Sequence, residues 1–309
     1  MLPEHCLTMS KGAVVVLSLL AVSALTVFSF WVFWPPSRPP EKTEENIDGF
    51  IKVARVAPKV VVVGLGPDAV TAIAAQKGII VIDAGISNSL TAKYRKTIES
   101  VFIRDDFAYL INTHSHPDHT GGNQVFAGAV IVGQENCPAE MAEYWKDPER
   151  IGKRWLETVN GYDKELGGLD AGSREWDETF CKKSRYQHAC DDLAKDRIVT
   201  APSLTFKDSL SLPLGDMTLF LVYFGGTHSK SDAVIHVPEL KLLMTGDLFS
   251  PGGIPSLDED LLKNDLRQRK KAVKWIFTRW NDIETVIGGH GRVMTKADLK
   301  LFIEYLESI

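Results

Sequence analysis

Basic charge is what this sequence of 309 residues lacks most plainly: 35 Lys and Arg stand against 40 Asp and Glu, a formal net charge of −5. Nucleic-acid affinity is driven by neutralising phosphates, and the composition supplies no surplus of cations for it, so no nucleic-acid partner is expected. Cysteine is scarce, with four in all: Cys6, Cys137, Cys181 and Cys190. Cys6 lies before the apolar segment described next, which leaves three for the main domain. Cys181 and Cys190 have two readings of equal standing, a local disulfide across a short polar loop or two free thiols on a surface helix. Cys137 is then unpaired and, as free cysteines tend to be, buried. No internal repeat is evident.

Long apolar runs are equally rare, and the one present is informative. Residues 13–34, AVVVLSLLAVSALTVFSFWVFW, carry no charge; about 22 residues at roughly 1.5 Å rise span about 33 Å, enough to cross a bilayer as one helix. Trp31 and Trp34 at its far end suit the headgroup level. Lys11 precedes the run, whereas Arg38 and Lys42 after it are mixed with Glu41, Glu44 and Glu45. The positive-inside rule therefore expects residues 1–12 in the cytoplasm, a single-pass signal anchor, and the large domain outside the cytoplasm, periplasmic or extracellular. A cleaved signal peptide ending near Ala24 is the rival. The apolar run continues past Ala24 beyond the usual h-region of about 7–15 residues, which favours the anchor. A Pro-rich linker, 35–45, leads to residues 46–309, a length that suits one large domain.

In that domain short apolar runs alternate with Gly, Pro and Asn. KVVVVGLG, AVTAIAA and GIIVIDAG read as strands, 89–101 as a helix, and AYLINTH and AVIVGQ as further strands. Residues from about 137 to 200 are rich in charge, Trp and Gly and read as a helical insertion or lid. SLTFKDSLSLPL, DMTLFLVYFGG, DAVIHVPE and KLLMTGD then imply a second sheet, followed by an amphipathic helix, the strand and loop ETVIGGHG, and a closing helix. This is an α/β pattern, with polar motifs at the C-terminal ends of strands.

Five of the eight histidines sit at such junctions: His114, His116, His119, His228 and His290. His5, His188 and His236 lie in tail, polar and strand-like contexts and read as solvated or structural. His114, His116, Asp118 and His119 crowd imidazoles and a carboxylate into six residues, a set that wastes desolvation energy unless a cation joins it. In an extended loop His114 and His116 face one side, and Asp118 and His119 turn to a second point, so two adjacent metal positions follow. GGTHSKSD around His228, LLMTGDLF around Asp247 and VIGGHG around His290 each place one further donor beside glycine after an apolar run. Seven candidate ligands result.

IDAG at 82–85, NTHSHPDHTGG at 112–122, GGTHSKSD, TGD and GGHG, in that order, resemble the five successive motifs of the metallo-β-lactamase superfamily. The resemblance implies a four-layer αββα sandwich with its active site at one edge of two sheets. It also implies two Zn2+ per chain: His114, His116 and His228 on the first, Asp118, His119 and His290 on the second, and Asp247 bridging both. Asp83 is similar to the family's carboxylate that supports a metal-binding histidine without itself binding metal. The chemistry implied is hydrolysis by a metal-bridging hydroxide, with Asp118 as the catalytic residue that orients it and accepts its proton.

Two departures bear on substrate. TGD supplies Asp247 where the family's lactamases generally lack that aspartate or place cysteine on the second zinc, so the sequence looks more like the general hydrolase branches. The usual HTxG is altered to His228-Ser229-Lys230-Ser231, which puts Lys230 beside the site, either reaching for an anionic group or simply solvated. The expected substrate is a small ester, thioester, lactone or lactam, chosen partly by the 137–200 segment. The alternatives are a mononuclear iron enzyme acting on sulfur compounds, a β-lactamase proper, and a non-enzymatic membrane-tethered binding protein.

Overall fold

The computed structural model describes residues 44–195, 199–249 and 259–308. The expected anchor, 13–34, and most of the linker lie outside the described residues. Among those described, no helix is long and apolar enough to cross a membrane. Contacts divide the chain into Met1–Asn46 and Ile47–Ile309; of the first unit only residues 44–46 are described, at the start of the 3-10 helix Glu44–Phe50.

The second unit holds two sheets. In the first, β1 (Lys52–Ala57), β2 (Val60–Leu65), β3 (Asp68–Ala75), β4 (Gly78–Ile82), β5 (Phe107–Ile111), β6 (Val130–Gln134) and β7 (Leu204–Phe206) lie in chain order. Its first four strands are an antiparallel meander, and β4 to β7 run parallel. Parallel neighbours need crossovers. These are supplied by helix α1 (Asn88–Phe102) between β4 and β5, by α2 (Pro117–Thr120) and a 3-10 turn between β5 and β6, and by α3 (Cys137–Tyr144), α4 (Pro148–Leu166) and α5 (Arg174–Leu193) between β6 and β7. The second sheet has the order β13-β12-β11-β10-β9-β8, from β8 (Ser209–Pro213), β9 (Thr218–Tyr223), β10 (Ala233–Val237), β11 (Leu242–Met244), β12 (Thr285–Ile287) and β13 (Val293–Thr295), with α6 (Glu259–Phe277) and α7 (Lys296–Ser308).

Alternation along the strands builds the layers, because successive side chains point to opposite faces. Val60 and Val62 of β2 face the gap between the sheets, where they meet Leu219, Leu221, Ile235 and Met244 of the second sheet. Val61 and Val63 face outward onto Leu90, Tyr94 and Ile98 of α1 and Phe180 of α5. On the other side Val234, Leu243 and Val286 pack under Val273 and Ile276 of α6 and Leu299 and Ile303 of α7. The layers run helix, sheet, sheet, helix.

Three sequence expectations change. SLTFKDSLSLPL is not one strand of the second sheet: β7 joins the first sheet and β8 the second, with the chain crossing at Lys207 and Asp208. β1 and β13 were not marked as strands, and β1 is largely exposed at a sheet edge. Of the two readings of Cys181 and Cys190 the helix holds, since both lie on α5. Nine residues of helix separate the two by about 13 Å at 1.5 Å per residue, well beyond the roughly 7 Å Cα limit for a disulfide. Cys137 is fully buried.

Candidate metal centre

Strand ends deliver every candidate donor. Asp83 follows β4, Thr113 and His114 follow β5, Asp118 and His119 ride on α2, His228 lies between β9 and β10, Asp247 follows β11, and His290 follows β12. Pro117 opens α2 at a position where a missing N–H is harmless, and Asp118 sits in the first turn, where helix dipoles favour a carboxylate. Backbone bonds hold the loops together: Ala233 N donates to Thr113 O across the gap between the sheets at 2.7 Å, and Gly289 N to Gly246 O between neighbouring strand ends of the second sheet at 3.0 Å. Gly289 has no room for a side chain, since a Cβ there would collide with Asp247 Oδ1 and His119 Cε1.

The structure brings all seven candidate ligands together. Donor atoms of His114, His116 and His228 lie within 4.8 Å of one another, as do those of Asp118, His119 and His290. A third such group, His114, His119 and Asp247, joins the two. Asp247 Oδ2 lies 3.4 Å from His228 Nε2, 3.7 Å from His119 Nε2 and 3.1 Å from His290 Nε2, so one carboxylate faces both groups. His116 Nδ1 and His228 Nε2 face each other at 2.9 Å.

The hydrogen bonds around these rings select which nitrogen faces inward. Asp83 Oδ2 accepts from His119 Nδ1 at 2.8 Å and from the Thr113 hydroxyl at 2.9 Å. A hydroxyl has one proton, so Thr113 Oγ1 must accept from His114 Nδ1, 3.0 Å away. Asp83 thus fixes two histidines, one directly and one through Thr113, with Nε2 of each turned inward. His290 donates from Nδ1 to Pro67 O at 2.8 Å. Asp83 itself has φ of 61°, a left-handed conformation that aspartate tolerates better than most residues and that turns the chain at the strand end.

The donor set fits a metal. Nε2 of His114, Nε2 of His119 and Oδ1 of Asp247 are buried and, among the described residues, find no hydrogen-bond partner. Buried polar atoms are almost always satisfied, and three orphans aimed at one small space are what cation ligands look like without the cation. The charges of the metal-free protein agree. Burial, with His119 and His116 beside it, drives His114 well below the ordinary imidazole value and keeps it neutral. Burial acts the same way on His119, yet Asp83, Asp118 and Asp247 overcome it and push that ring up to about 10. Burial opposes ionisation of Asp118 and Asp247 as well. The charge of His119 and, for Asp247, the hydrogen bond to His290 outweigh it, and both carboxylates are held below their usual range.

Other residues frame the site, and of these only Lys230 was singled out in the sequence. Glu140 of α3 accepts from Ser115 Oγ at 2.9 Å, Ser231 Oγ at 2.6 Å and Lys230 N at 2.9 Å, tying together the loops that carry His114, His116 and His228. Asp232 accepts from the backbone of Thr227, His228 and Ser229 and from the hydroxyls of Thr227 and Ser229, which fixes the turn around His228. That aspartate, four residues past a histidine in a Ser-rich turn, carried a readable signal, because such side chains bond the backbone of their own turn. Lys230 engages through its backbone, with N bound to Glu140 and O to Asn136, while the residue itself is exposed. From α5 the buried Arg185 comes within 3.8 Å of Asp118 Oδ2.

Comparison with known proteins places this centre in a family. A Metallo-beta-lactamase type 2 of Bacteroides fragilis is 27% identical over 126 residues, 41% of this chain and 48% of that protein. A Metallo-beta-lactamase type 2 of Bacillus cereus is 21% identical over 218 residues, 70% of this chain and 64% of that protein. The chain therefore spans less than two thirds of the length of either curated relative. A solved metallo-beta-lactamase from Pontibacter korlensis shares the fold with a TM-score of 0.55 at 17% identity, covering 84% of this chain and 100% of that one. The model of the metallo-beta-lactamase superfamily matches residues 63–290, a stretch that takes in all seven clustered donors together with Asp83, and the chain belongs to that superfamily.

Proposed function

We propose that this protein is a zinc-dependent hydrolase with two Zn2+ per chain, acting on a small ester, thioester, lactone or lactam. Members of the superfamily are generally metallohydrolases. The observation that carries the two-cation form is Asp247, whose single Oδ2 faces His228 of one donor group and His119 and His290 of the other. His114, His116 and His228 would hold the first ion, Asp118, His119 and His290 the second, and Asp247 both. When bound, the pair would acidify a water toward hydroxide near neutral pH and polarise the substrate's carbonyl oxygen.

The chain's own groups supply the rest. Asp83 and Thr113 hold His119 and His114 in the tautomer that leaves Nε2 free. Asp118 is the catalytic residue: with Arg185 beside it favouring the ionised form, its carboxylate orients the attacking water and takes up its proton. The helices of 137–200, reaching the centre through Glu140 and Arg185, select the substrate.

Full-length protein purified with its native metal is the test, by elemental analysis and a hydrolysis panel of lactones, thioesters, carboxylic esters and β-lactams. About two zinc ions per chain and turnover of one class are expected; one iron and no zinc would overturn the assignment in favour of a sulfur-oxidising enzyme. Binding of a protein partner with no turnover would instead support a tethered binding protein. The charge-free run 13–34 supports a single-pass anchor with the domain outside the cytoplasm. Retention in the membrane fraction at alkaline pH, with protease access from the outer side, is expected, and release as a soluble shortened chain would show a cleaved signal instead.

A further inference from the structure

Arg185 is a permanent cation set into the wall of this centre by a helix that carries none of its ligands. Its residue is 8% exposed, on the face of α5 that also buries Phe180, Cys181 and Ala189. Nη2 donates to Tyr186 Oη at 3.0 Å, and the guanidinium carbon lies 4.7 Å from the centre of that ring. Nε and Nη1 are buried and, among the described residues, have no hydrogen-bond partner. A guanidinium is seldom left so poorly bonded, since its desolvation must be offset by partners. What faces it is charge: Asp118 Oδ2 at 3.8 Å, too far for a hydrogen bond, and the field of buried Asp68, whose oxygens are already taken by Ile86 N at 3.0 Å and Tyr94 Oη at 2.9 Å. The two donor groups differ in this respect. His114, His116 and His228 are imidazoles alone, whereas the other group contains the carboxylate that Arg185 faces.

We propose that Arg185 makes the two metal positions unequal, by offsetting the charge of Asp118 and repelling the cation held by Asp118, His119 and His290. This rests on the two-cation reading above. Asp118 is placed by the first turn of α2 and not by a bond from Arg185, so removing the guanidinium leaves the donor where it is and takes away only the competing charge. The first position, on its three imidazoles, fills first. The second remains the exchangeable one, and the helical segment 137–200 sets how exchangeable it is.

The test is a Zn2+ titration of the full-length chain, stripped of metal and competed against a chromogenic chelator, which reads stepwise binding constants without reference to turnover. Arg185→Gln is expected to tighten the second constant by about tenfold and to leave the first unchanged, an effect on the scale of other groups outside the ligand set. Arg185→Lys, which keeps the charge, should stay near wild type. Asp68→Asn, which leaves Arg185 to bear on Asp118 alone, should weaken the second constant, and it keeps the question open to measurement if the Gln variant does not fold. Two ions with an unchanged or weakened second constant in Arg185→Gln would overturn the proposal and spare the two-cation reading. A single ion in both wild type and Arg185→Gln would sink both, while one in wild type and two in the variant would support the proposal in its strongest form.

Discussion

The two donor groups meet where His114 of one and His119 of the other approach Asp247, yet they are built differently. His114, His116 and His228 form a neutral set, held from behind by Glu140, which stitches the Ser115 loop to the Ser231 loop. Asp118, His119 and His290 form an acidic set with Asp83 behind His119 and Arg185 beside Asp118. The first is organised mainly by hydrogen bonds between loops and the second mainly by charge. A hydrogen-bonded clip and a charge balance fail differently, which makes the contrast measurable.

The largest effect should come from the residue common to both sides. Asp247→Ala removes the carboxylate facing His119, His228 and His290 and is expected to lower metal occupancy and turnover together by more than about a hundredfold, beyond what groups outside the ligand set typically cost. Unchanged turnover would remove its bridging role. Next come the two supports, taken as a pair. Asp83→Asn loses the anionic acceptor for His119 and, through Thr113, for His114, so metal affinity should fall by about 10–100-fold. Glu140→Gln keeps the shape and weakens only the clip, so a loss of about tenfold or less, confined to the first ion, is expected from stepwise zinc titration. Equal losses from the two variants would erase the distinction between the halves.

The smallest effect is a pH trend in metal-free protein. His119 moves from 6.5 to about 10 on folding. A value raised in the folded state contributes stability that is full below 6.5 and is lost as pH rises through about 10. His290, also raised, acts in the same direction. Chelated protein should therefore show a Tm that declines over that window, whereas zinc-loaded protein, whose His119 has already given up its proton, should not. A flat profile for the chelated form would mean that His119 is neutral without metal.

Much of this centre was legible because its donors are local to strand ends. His114, His116, Asp118 and His119 lie within six residues, and Asp247 and His290 follow apolar runs closed by glycine, so motif and strand were read together. What was missed has no local signature. Glu140 and Arg185 sit in charge-rich helices where any single Glu or Arg looks like part of a solvated face, and only the packing of α3 and α5 against the sheet turns these two inward. The same composition left 181–190 open between a polar loop and a surface helix, and it is helix. The break between β7 and β8 was hidden for a related reason: the alternating pattern continues through Lys207 and Asp208, and nothing in it says that the partner strand has changed.

The gap between the sheets has a consequence of its own. Because donors arrive from the ends of strands in both sheets, the spread of each donor group is a dimension of the apolar core. Ile80, Ile82, Ile235 and Met244, none of them a donor, act as spacers whose bulk sets how far apart the strand ends stand. Sites of this kind tolerate only about 0.5 Å of error. A methylene trimmed from the interior is thus a change in the ruler by which the centre is measured, and selection on the core of this protein is partly selection on its metal geometry.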